Sequence, residues 1–301
     1  IILKLRVMKK LILSLLAIPL VFSALAQSPA LPQSKIVTDS IHSKVLNAYR
    51  AYNIFLPKSY ETDTNKKYPI LYLLHGMMDT HQGWAGRGHV KDVADQLMES
   101  GEACEMIIVT PNAGGNIYEG VWNGYFDMPG WSYETFFYTE FLPYIEKNYR
   151  VIGDKAHRAI AGLSMGGGGA TGYGQKHSDM YAAVYAMSAL MSIPEMGAAP
   201  AQKPDDKMAI LTKSVIENSC VDFVANADED RIANLRTVAW FVDCGDDDFL
   251  LDRNIEFTQA MRKKKIPCQF RVRDGGHTWE YWHSALYTCL PFVTRNFGKN
   301  Q

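Results

Sequence analysis

The stretch that most constrains the fold of this chain is a short turn, Gly162-Leu163-Ser164-Met165-Gly166. An apolar run at 157–161, typical of a buried strand, precedes it, and small residues that allow a closely packed helix follow it. A Gly-x-Ser-x-Gly turn strains the serine backbone, and its glycines avoid collisions there. We therefore predict that Ser164 lies at a helix N-terminus, where free N–H groups and the helix dipole favour an oxyanion. A plain glycine-rich turn is the alternative, because the pattern alone is weakly specific.

Length and composition favour one large α/β domain. The 301 residues are 47% hydrophobic, which is enough for an extensive core. We predict a flexible leader over 27–34 and a single domain over 35–301. The formal net charge of -1 and the lack of a basic block argue against nucleic acid as a partner. No metal-binding cluster, dinucleotide fingerprint or phosphate loop is visible in the sequence, so we predict no metal and no cofactor; the oligomeric state stays open.

The first 26 residues have the pattern of a secretory signal peptide. Met8-Lys9-Lys10 is a positive start, Leu11–Phe22 an apolar core, and Ala24-Leu25-Ala26 a cleavage site before Gln27. We expect residues 1–7 to lie upstream of the true start. The apolar run is too short to span a bilayer, and Gln27 in place of a cysteine gives no lipid anchor. These features predict an exported protein, periplasmic or secreted, without a stable membrane anchor.

The cysteines leave the disulfide question open. In an oxidising compartment one or two disulfides could form, and an odd number leaves at least one free thiol. Small buried hydrophobic residues are the alternative for those beside apparent core strands. The cysteines are Cys104, Cys220, Cys244, Cys268 and Cys289.

The order of strands and helices predicts a mostly parallel sheet covered on both faces. Residues 35–57 alternate like antiparallel strands, and the continuous apolar run Tyr68–Leu74 is typical of a strand buried on both faces. Later strands alternate with helices. We expect one amphipathic helix from Ser132 to Tyr149, capped by Ser132 and kinked or broken at Pro143. Residues 191–232 are irregular, and we predict that they form a small cap-like insertion near the site.

Two later segments supply the partners that a reactive serine needs. A serine hydroxyl requires a base, and the base requires an acceptor that fixes its tautomer. His277 follows two glycines after the last predicted strand, which favours it as the base over the other histidines. The turn Cys244–Leu250 offers carboxylates, of which we favour Asp248 over Asp246 and Asp247, with Asp243 fourth. The surplus aspartates fit a solvated turn, because the spacing of a calcium loop is missing.

A further loop is placed to stabilise an oxyanion. His75-Gly76-Met77-Met78 follows the buried strand, where an oxyanion loop belongs. We expect the backbone N–H of Met77 and that of Met165 to converge on the carbonyl oxygen of a substrate. A plain turn after a strand is the alternative.

These motifs together resemble the esterase D-like branch of the α/β-hydrolases. That branch includes feruloyl and acetylxylan esterases, S-formylglutathione hydrolases and mycolyltransferases, and the resemblance covers about Tyr49 to Phe297. It implies an α/β-hydrolase fold and catalysis by Ser164, His277 and Asp248, the acid lying three residues after the glycine of its turn. The oxyanion loop departs from the pattern, since Met77 and Met78 stand where many relatives carry more glycine.

The resemblance and the signal peptide together predict an exported serine carboxylesterase that acts on feruloyl or acetyl esters of xylan. Six aromatic residues could supply stacking surfaces for a sugar or a phenol, although most aromatic residues of such a chain are core: Trp84, Tyr118, Trp122, Trp131, Trp279 and Trp282. Of these, Trp84, Trp122 and Trp279 are our candidates for substrate binding. Three alternatives stay open: acyl transfer to an acceptor other than water, a thioesterase like S-formylglutathione hydrolase, and a non-catalytic polysaccharide-binding protein.

Overall fold

The computed structural model describes residues 32–194 and 205–299. The predicted signal peptide and most of the predicted leader lie outside these residues, as does part of the insertion predicted at 191–232.

The strands of the described residues form a large sheet and a small hairpin. In spatial order the large sheet is β1-β2-β4-β3-β7-β8-β9-β10, and β5 pairs with β6. Pairing is antiparallel from β1 through β2 to β4 and parallel from β4 to β10, which confirms the mostly parallel α/β sheet. The strands are β1 Lys35–Ser43, β2 Ala48–Leu56, β3 Ile70–Leu74, β4 Ile107–Pro111, β5 Asp127–Met128, β6 Trp131–Ser132, β7 Arg158–Leu163, β8 Ala183–Met187, β9 Ala239–Gly245 and β10 Cys268–Arg273.

Helices connect the parallel strands and cover the sheet. Within the described residues, the α-helices are α1 Gly83–Gly86, α2 Val90–Ser100, α3 Tyr133–Phe136, α4 Leu142–Asn148, α5 Ser164–Lys176, α6 Lys207–Glu217, α7 Cys220–Ala225, α8 Glu229–Leu235, α9 Leu251–Lys263 and α10 Trp279–Asn296. Short 3₁₀ turns occur at Lys58–Tyr60, Ile117–Glu119 and Lys155–His157.

Strand β3 shows why the sheet is covered on both faces. Its residues are all buried, and successive side chains of a strand point to opposite faces. Ile70, Tyr72 and Leu74 belong to one apolar core, to which α5 and α9 also contribute. Leu71 and Leu73 belong to a second core, shared with α2 and α10. The continuous apolar run in the sequence therefore reflects two cores that lie on opposite sides of one strand.

The helix predicted from Ser132 to Tyr149 is interrupted. Between α3 and α4 the chain makes a π turn, Phe137–Phe141, and Pro143 lies in the first turn of α4, where a missing N–H costs little. Ser132 makes no capping hydrogen bond, which corrects the expected cap. Instead the Asp127 carboxylate accepts a hydrogen bond from the Thr135 N–H at 2.9 Å.

The described part of the segment 191–232 packs along α5. Gln175 of α5 donates a hydrogen bond from Nε2 to the Cys220 carbonyl at 2.9 Å, and the Cys220 N–H donates to the Met191 carbonyl at 2.8 Å. Leu211 and Ile232 of this segment belong to the same apolar core as α5. The segment therefore adds to the main core, and its role as a cap stays a prediction.

The tight turn between β7 and α5 gives a stability prediction. A Cβ atom on Gly162 would lie 2.3 Å from the Gly166 carbonyl oxygen, which is backbone and cannot move aside. We expect Gly162→Ala to lower the free energy of unfolding by about 1 to 3 kcal/mol or more, as overpacked sites do. Urea unfolding followed by circular dichroism measures this difference.

Gly86→Ala is the matched control, because a Cβ atom there would meet nothing within 4 Å. It should leave the free energy of unfolding within roughly 0.5 kcal/mol of the original protein. Equal stability of the two variants would contradict the packing argument.

Candidate active site

Ser164 lies at the turn between β7 and α5 in a strained conformation. Its φ is +53°, a left-handed value that residues other than glycine rarely adopt. A Cβ atom on Gly166 would lie 2.3 Å from the His75 carbonyl oxygen. The absent side chain therefore lets the first turn of α5 pack directly against the loop that follows β3. The Ser164 hydroxyl is brought to the carboxyl end of the parallel strands.

His277 bridges Ser164 and Asp248. Its Nε2 lies 2.9 Å from the Ser164 Oγ, and its Nδ1 lies 2.9 Å from Oδ2 and 3.1 Å from Oδ1 of Asp248. Since an ionised carboxylate only accepts hydrogen bonds, Nδ1–H donates to Asp248 and Nε2 can accept the serine proton. In this tautomer the unprotonated Nε2 of His277 faces the Ser164 hydroxyl and can act as a base.

Asp248 is a buried and ionised acceptor. Its side chain is buried, and it also accepts a hydrogen bond from the Leu250 N–H at 2.8 Å. Burial alone would raise the pKa of the Asp248 carboxyl, but the hydrogen bonds from His277 and from Leu250 outweigh it, and the pKa lies below its ordinary value. Asp248 therefore carries its charge at neutral pH.

The other aspartates of this region do not reach His277. Asp246 and Asp247 are exposed, and Asp246 Oδ1 accepts a hydrogen bond from the Gly275 N–H at 3.0 Å. Asp243 is fully buried, and its carboxylate is bound by arginine and tyrosine side chains instead. Of the four candidates, the structure places Asp248 alone against the histidine.

A buried histidine fixes the loop after β3. The Ala113 N–H donates to Nε2 of His75 at 2.9 Å, so the proton lies on Nδ1, which donates to the Gly76 carbonyl at 2.8 Å. The Tyr125 hydroxyl donates to the His75 carbonyl at 2.8 Å. Burial lowers the pKa of His75 to about 4, so the ring is neutral at pH 7. The carbonyl groups of His75 and Gly76, at the start of this loop, are therefore held by hydrogen bonds from buried side chains.

The two predicted oxyanion donors belong to the two segments that meet at Ser164, the first turn of α5 and the loop after β3. Met165 is in the first turn of α5, where an N–H has no acceptor within its own helix. Met77 lies in the loop after β3 and lines the same cavity as Ser164. Met78, the next residue, has a φ of +65° and a side chain that is 49% exposed.

A cavity of about 410 Å³ opens at Ser164 and His277. Phe249 stands at its rim with its side chain 75% exposed, and its ring centroid lies 4.5 Å from that of His277. Arg87 pairs with Asp79 at 2.8 Å and lies 4.7 Å over the Trp279 ring. The lining residues are Gly76, Met77, Met78, Asp79, Arg87, Leu163, Ser164, Phe249, His277, Thr278, Trp279 and Trp282.

The three tryptophans predicted to bind substrate lie in different environments in the structure. Trp279 lines the cavity, whereas Trp84 is fully buried behind it, donates to the Leu74 carbonyl at 3.0 Å and supports Trp279 edge-on. Trp122 lies under Lys207 and away from the cavity lining. The fully buried Trp84 therefore cannot contact a substrate in this cavity, whereas a substrate contact by the half-buried Trp122 outside it stays a prediction.

Sequence reasoning left Phe249 and Arg87 out of the site, and it did not rank Trp282 among the favoured aromatic residues. Trp282 lies three residues after Trp279 on α10, a spacing that puts both on one helix face, and its ring is edge-on to His277 at 4.9 Å. The helical spacing from Trp279 was a usable signal for Trp282. For Arg87, 190 residues before His277, no local signal existed.

Three further observations concern the cysteines, metal-binding side chains and membrane-spanning helices. All five cysteines, whose pairing the sequence left open, are free in the structure. Across residues 32–194 and 205–299, no three His, Cys, Asp or Glu side chains are grouped as a metal site would require. In the same part of the chain, no helix has the length and hydrophobicity to cross a bilayer.

Comparisons with known proteins agree with this geometry. The sequence model of a family described as "Putative esterase" matches residues 43–293. A solved structure described as a ferulic acid esterase is 77% identical, and the match covers 88% of this chain and 99% of that chain with a TM-score of 0.85.

Two curated relatives extend the comparison. An endo-1,4-beta-xylanase/feruloyl esterase of Xylanibacter ruminicola is 32% identical over 118 residues, which are 38% of this chain and only 16% of that protein. An acetyl esterase of Caldicellulosiruptor saccharolyticus is 20% identical over 278 residues, 86% of this chain and 98% of that protein. The chain thus spans a small part of the first relative and nearly all of the second.

The buried His75 gives a prediction about acid stability. Its folded pKa is about 4, whereas an unfolded histidine has a pKa of about 6.5. Between these values the unfolded chain binds a proton that the folded chain does not, so stability falls as the pH falls from about 6.5 to about 4. At pH 4.5 the loss relative to pH 7 should be roughly 2 to 3 kcal/mol.

Urea unfolding at pH 7 and pH 4.5 measures this loss. His75→Asn should show a loss on acidification that is smaller by roughly 2 to 3 kcal/mol, because the titrating group is gone. His42→Asn, at an exposed histidine, is the control substitution. The same loss in all three proteins would exclude His75 as its source.

Proposed function

We propose that this chain, which belongs to the family described as "Putative esterase" as its motifs predicted, is an exported serine carboxylesterase. The proposed reaction releases feruloyl groups from plant polysaccharide. The observation that carries the proposal is the chain of hydrogen bonds from Ser164 through His277 to Asp248 at the wall of an open cavity. Export rests on the signal-peptide pattern of residues 1–26.

Each group has a defined part in the proposed reaction. His277 Nε2 takes the proton of the Ser164 hydroxyl while Oγ attacks the ester carbonyl carbon, giving a tetrahedral oxyanion. The N–H groups of Met77 and Met165 stabilise that oxyanion, and each such donor is worth about 2.7 to 4 kcal/mol of barrier. The tetrahedral intermediate then collapses, the alcohol leaves with the proton from His277, and the acyl group stays on Ser164.

The second half of the reaction reverses these roles. His277 takes a proton from a water molecule, whose oxygen attacks the acyl carbon, and Ser164 regains its proton as the acid leaves. Asp248 holds the ring in the required tautomer and stabilises the imidazolium that forms in both halves. Phe249 at the rim of the cavity is exposed, so water can reach the acyl group from that side.

The cavity wall supports an aromatic acyl group. The rings of Trp279, Trp282 and Phe249 surround the space next to His277, and aromatic rings pack favourably against one another. If a feruloyl ring buries about 100 Å² more apolar surface than a methyl group, it gains about 2.5 kcal/mol. The 77% identical ferulic acid esterase supports the same acyl group.

Acetyl esters are a second candidate substrate. The acetyl esterase of Caldicellulosiruptor saccharolyticus aligns with this chain along 98% of its own length. An acetyl group would leave most of the 410 Å³ cavity unfilled, so we rank it below the feruloyl group.

The comparison of methyl ferulate with methyl acetate tests the proposal. The purified chain should hydrolyse methyl ferulate with a kcat/KM roughly ten- to a hundredfold higher than that for methyl acetate. The additional burial of about 2.5 kcal/mol sets this range, because about 1.4 kcal/mol corresponds to a factor of ten. Ser164→Ala should abolish both activities. Release of ferulate and of acetate from arabinoxylan, measured by chromatography, extends the comparison to polysaccharide.

Two tryptophan variants test the role of the cavity wall. Trp279→Ala should lower kcat/KM for methyl ferulate by about tenfold and leave methyl acetate nearly unchanged, since only the larger group reaches the ring. Trp122→Ala, outside the cavity lining, should change neither. A preference for methyl acetate, or equal effects of the two substitutions, would contradict the feruloyl assignment.

A further inference from the structure

Asp243, which the proposed reaction does not use, has an unusual environment. Its carboxylate is fully buried in β9. The hydroxyls of Tyr185 and Tyr281 donate to Oδ2 and Oδ1 respectively, each at 2.6 Å. Arg271 donates from Nη2 to Oδ2 at 2.6 Å, and Arg273 Nε lies 3.5 Å from Oδ1. A carboxylate withdrawn from water requires such partners, because an unpaired buried charge is strongly destabilising.

The positions of these partners along the chain are informative. Arg273 ends β10 four residues before His277, and Tyr281 lies in the first turn of α10 four residues after it. The loop that carries His277, residues 274–280, therefore has one partner of Asp243 at each end. We call this segment the histidine loop.

The two ends of the histidine loop also bind each other. Arg273 donates from Nη2 to the Tyr281 carbonyl at 2.8 Å, and its guanidinium lies 3.7 Å from the centroid of the Tyr281 ring. The same ring packs against Gly275 within the loop, where an added Cβ would lie 2.7 Å from a ring carbon. The base of the loop is thus closed by contacts that converge on Asp243.

The turn that carries Asp248 starts from β9, the strand that holds Asp243. Asp243 precedes Asp248 by five residues, and between them a Cβ on Gly245 would lie 1.9 Å from the Gly275 carbonyl oxygen. The Asp246 N–H donates to the Arg273 carbonyl at 3.1 Å. One strand, β9, therefore fixes both the turn that carries Asp248 and the ends of the histidine loop.

We propose that Asp243 is a positioning residue, whose carboxylate holds both ends of the histidine loop so that His277 reaches Ser164 and Asp248 together. The inference rests on the proposed function, since it assigns Asp243 an effect on the reaction. A displacement of about 1 Å in such a site can cost about a hundredfold in rate, so loss of one holding contact should be measurable.

Two tyrosines form a matched pair that separates positioning from simple stabilisation. Both hydroxyls donate to Asp243 at 2.6 Å. Burial raises the pKa of each tyrosine most, and the hydrogen bond to Asp243 and its charge raise it further, so both stay protonated donors. Tyr281 adjoins the histidine loop, whereas Tyr185 lies on β8, away from it. Replacing either by Phe removes one hydroxyl from the same carboxylate.

The expected results differ in rate and agree in stability. Both variants should lower the melting temperature by a similar amount. Tyr281→Phe should lower kcat for one soluble ester about five- to fiftyfold with little change in KM, because His277 is displaced while substrate contacts persist. Tyr185→Phe should keep kcat within about twofold. The rate at which a phosphonate ester inactivates Ser164 should follow kcat, because it depends on the same base.

A double-mutant cycle tests whether Tyr281 acts through Asp243. In an Asp243→Asn background, the further change Tyr281→Phe should alter kcat by less than about twofold, because the two residues act as one unit. The comparison of the two single tyrosine variants stands even if Asp243→Asn fails to fold.

The outcomes distinguish this inference from the proposed function. Equal kcat losses in Tyr281→Phe and Tyr185→Phe, or no loss in either, would overturn the positioning role while ester hydrolysis by Ser164 stands. Absence of ester hydrolysis by the unchanged protein, or full activity of Ser164→Ala, would overturn both.

Discussion

The left-handed backbone of Ser164 is the constraint on which the rest of the site depends. A φ of +53° lets the chain reverse from β7 into α5 within one residue, and it requires close approach of Gly162 to Gly166 and of Gly166 to His75. That approach places the first turn of α5 beside the loop after β3. The two predicted oxyanion donors lie on these two segments, so the same strain that exposes the hydroxyl also assembles the surroundings of the proposed oxyanion.

The parallel sheet brings the remaining groups to the same edge. Ser164 follows β7, Asp248 follows β9 and His277 follows β10, and the carboxyl ends of parallel strands lie along one edge of a sheet. Apolar cores on both faces hold these strands in register. The histidine loop needs more support, because β10 is an edge strand and, among the residues that the structure describes, pairs with β9 alone. The buried contacts of Asp243 supply that support from the neighbouring strand.

Much of this architecture could be predicted from the sequence, because buried parallel strands leave continuous apolar runs and the elbow has a local pattern. The π turn at 137–141 could not, since the apolar residues of 132–149 recur at the spacing of a regular α-helix. The burial of Trp84 could not be predicted either, because a tryptophan that supports a cavity wall and one that lines the cavity have the same sequence pattern. Asp243 ranked last among four candidate acids, and its partner Arg271 becomes visible only through the register of β9 with β10.

The central claim is that Ser164 carries the acyl group of the substrate during turnover. Rapid acid quenching of the reaction with a feruloyl ester, followed by mass spectrometry of the digested protein, tests this claim directly. We expect a feruloyl adduct on the peptide that contains Ser164 and no adduct in Ser164→Ala. An adduct on another residue, or turnover that persists in Ser164→Ala, would contradict it.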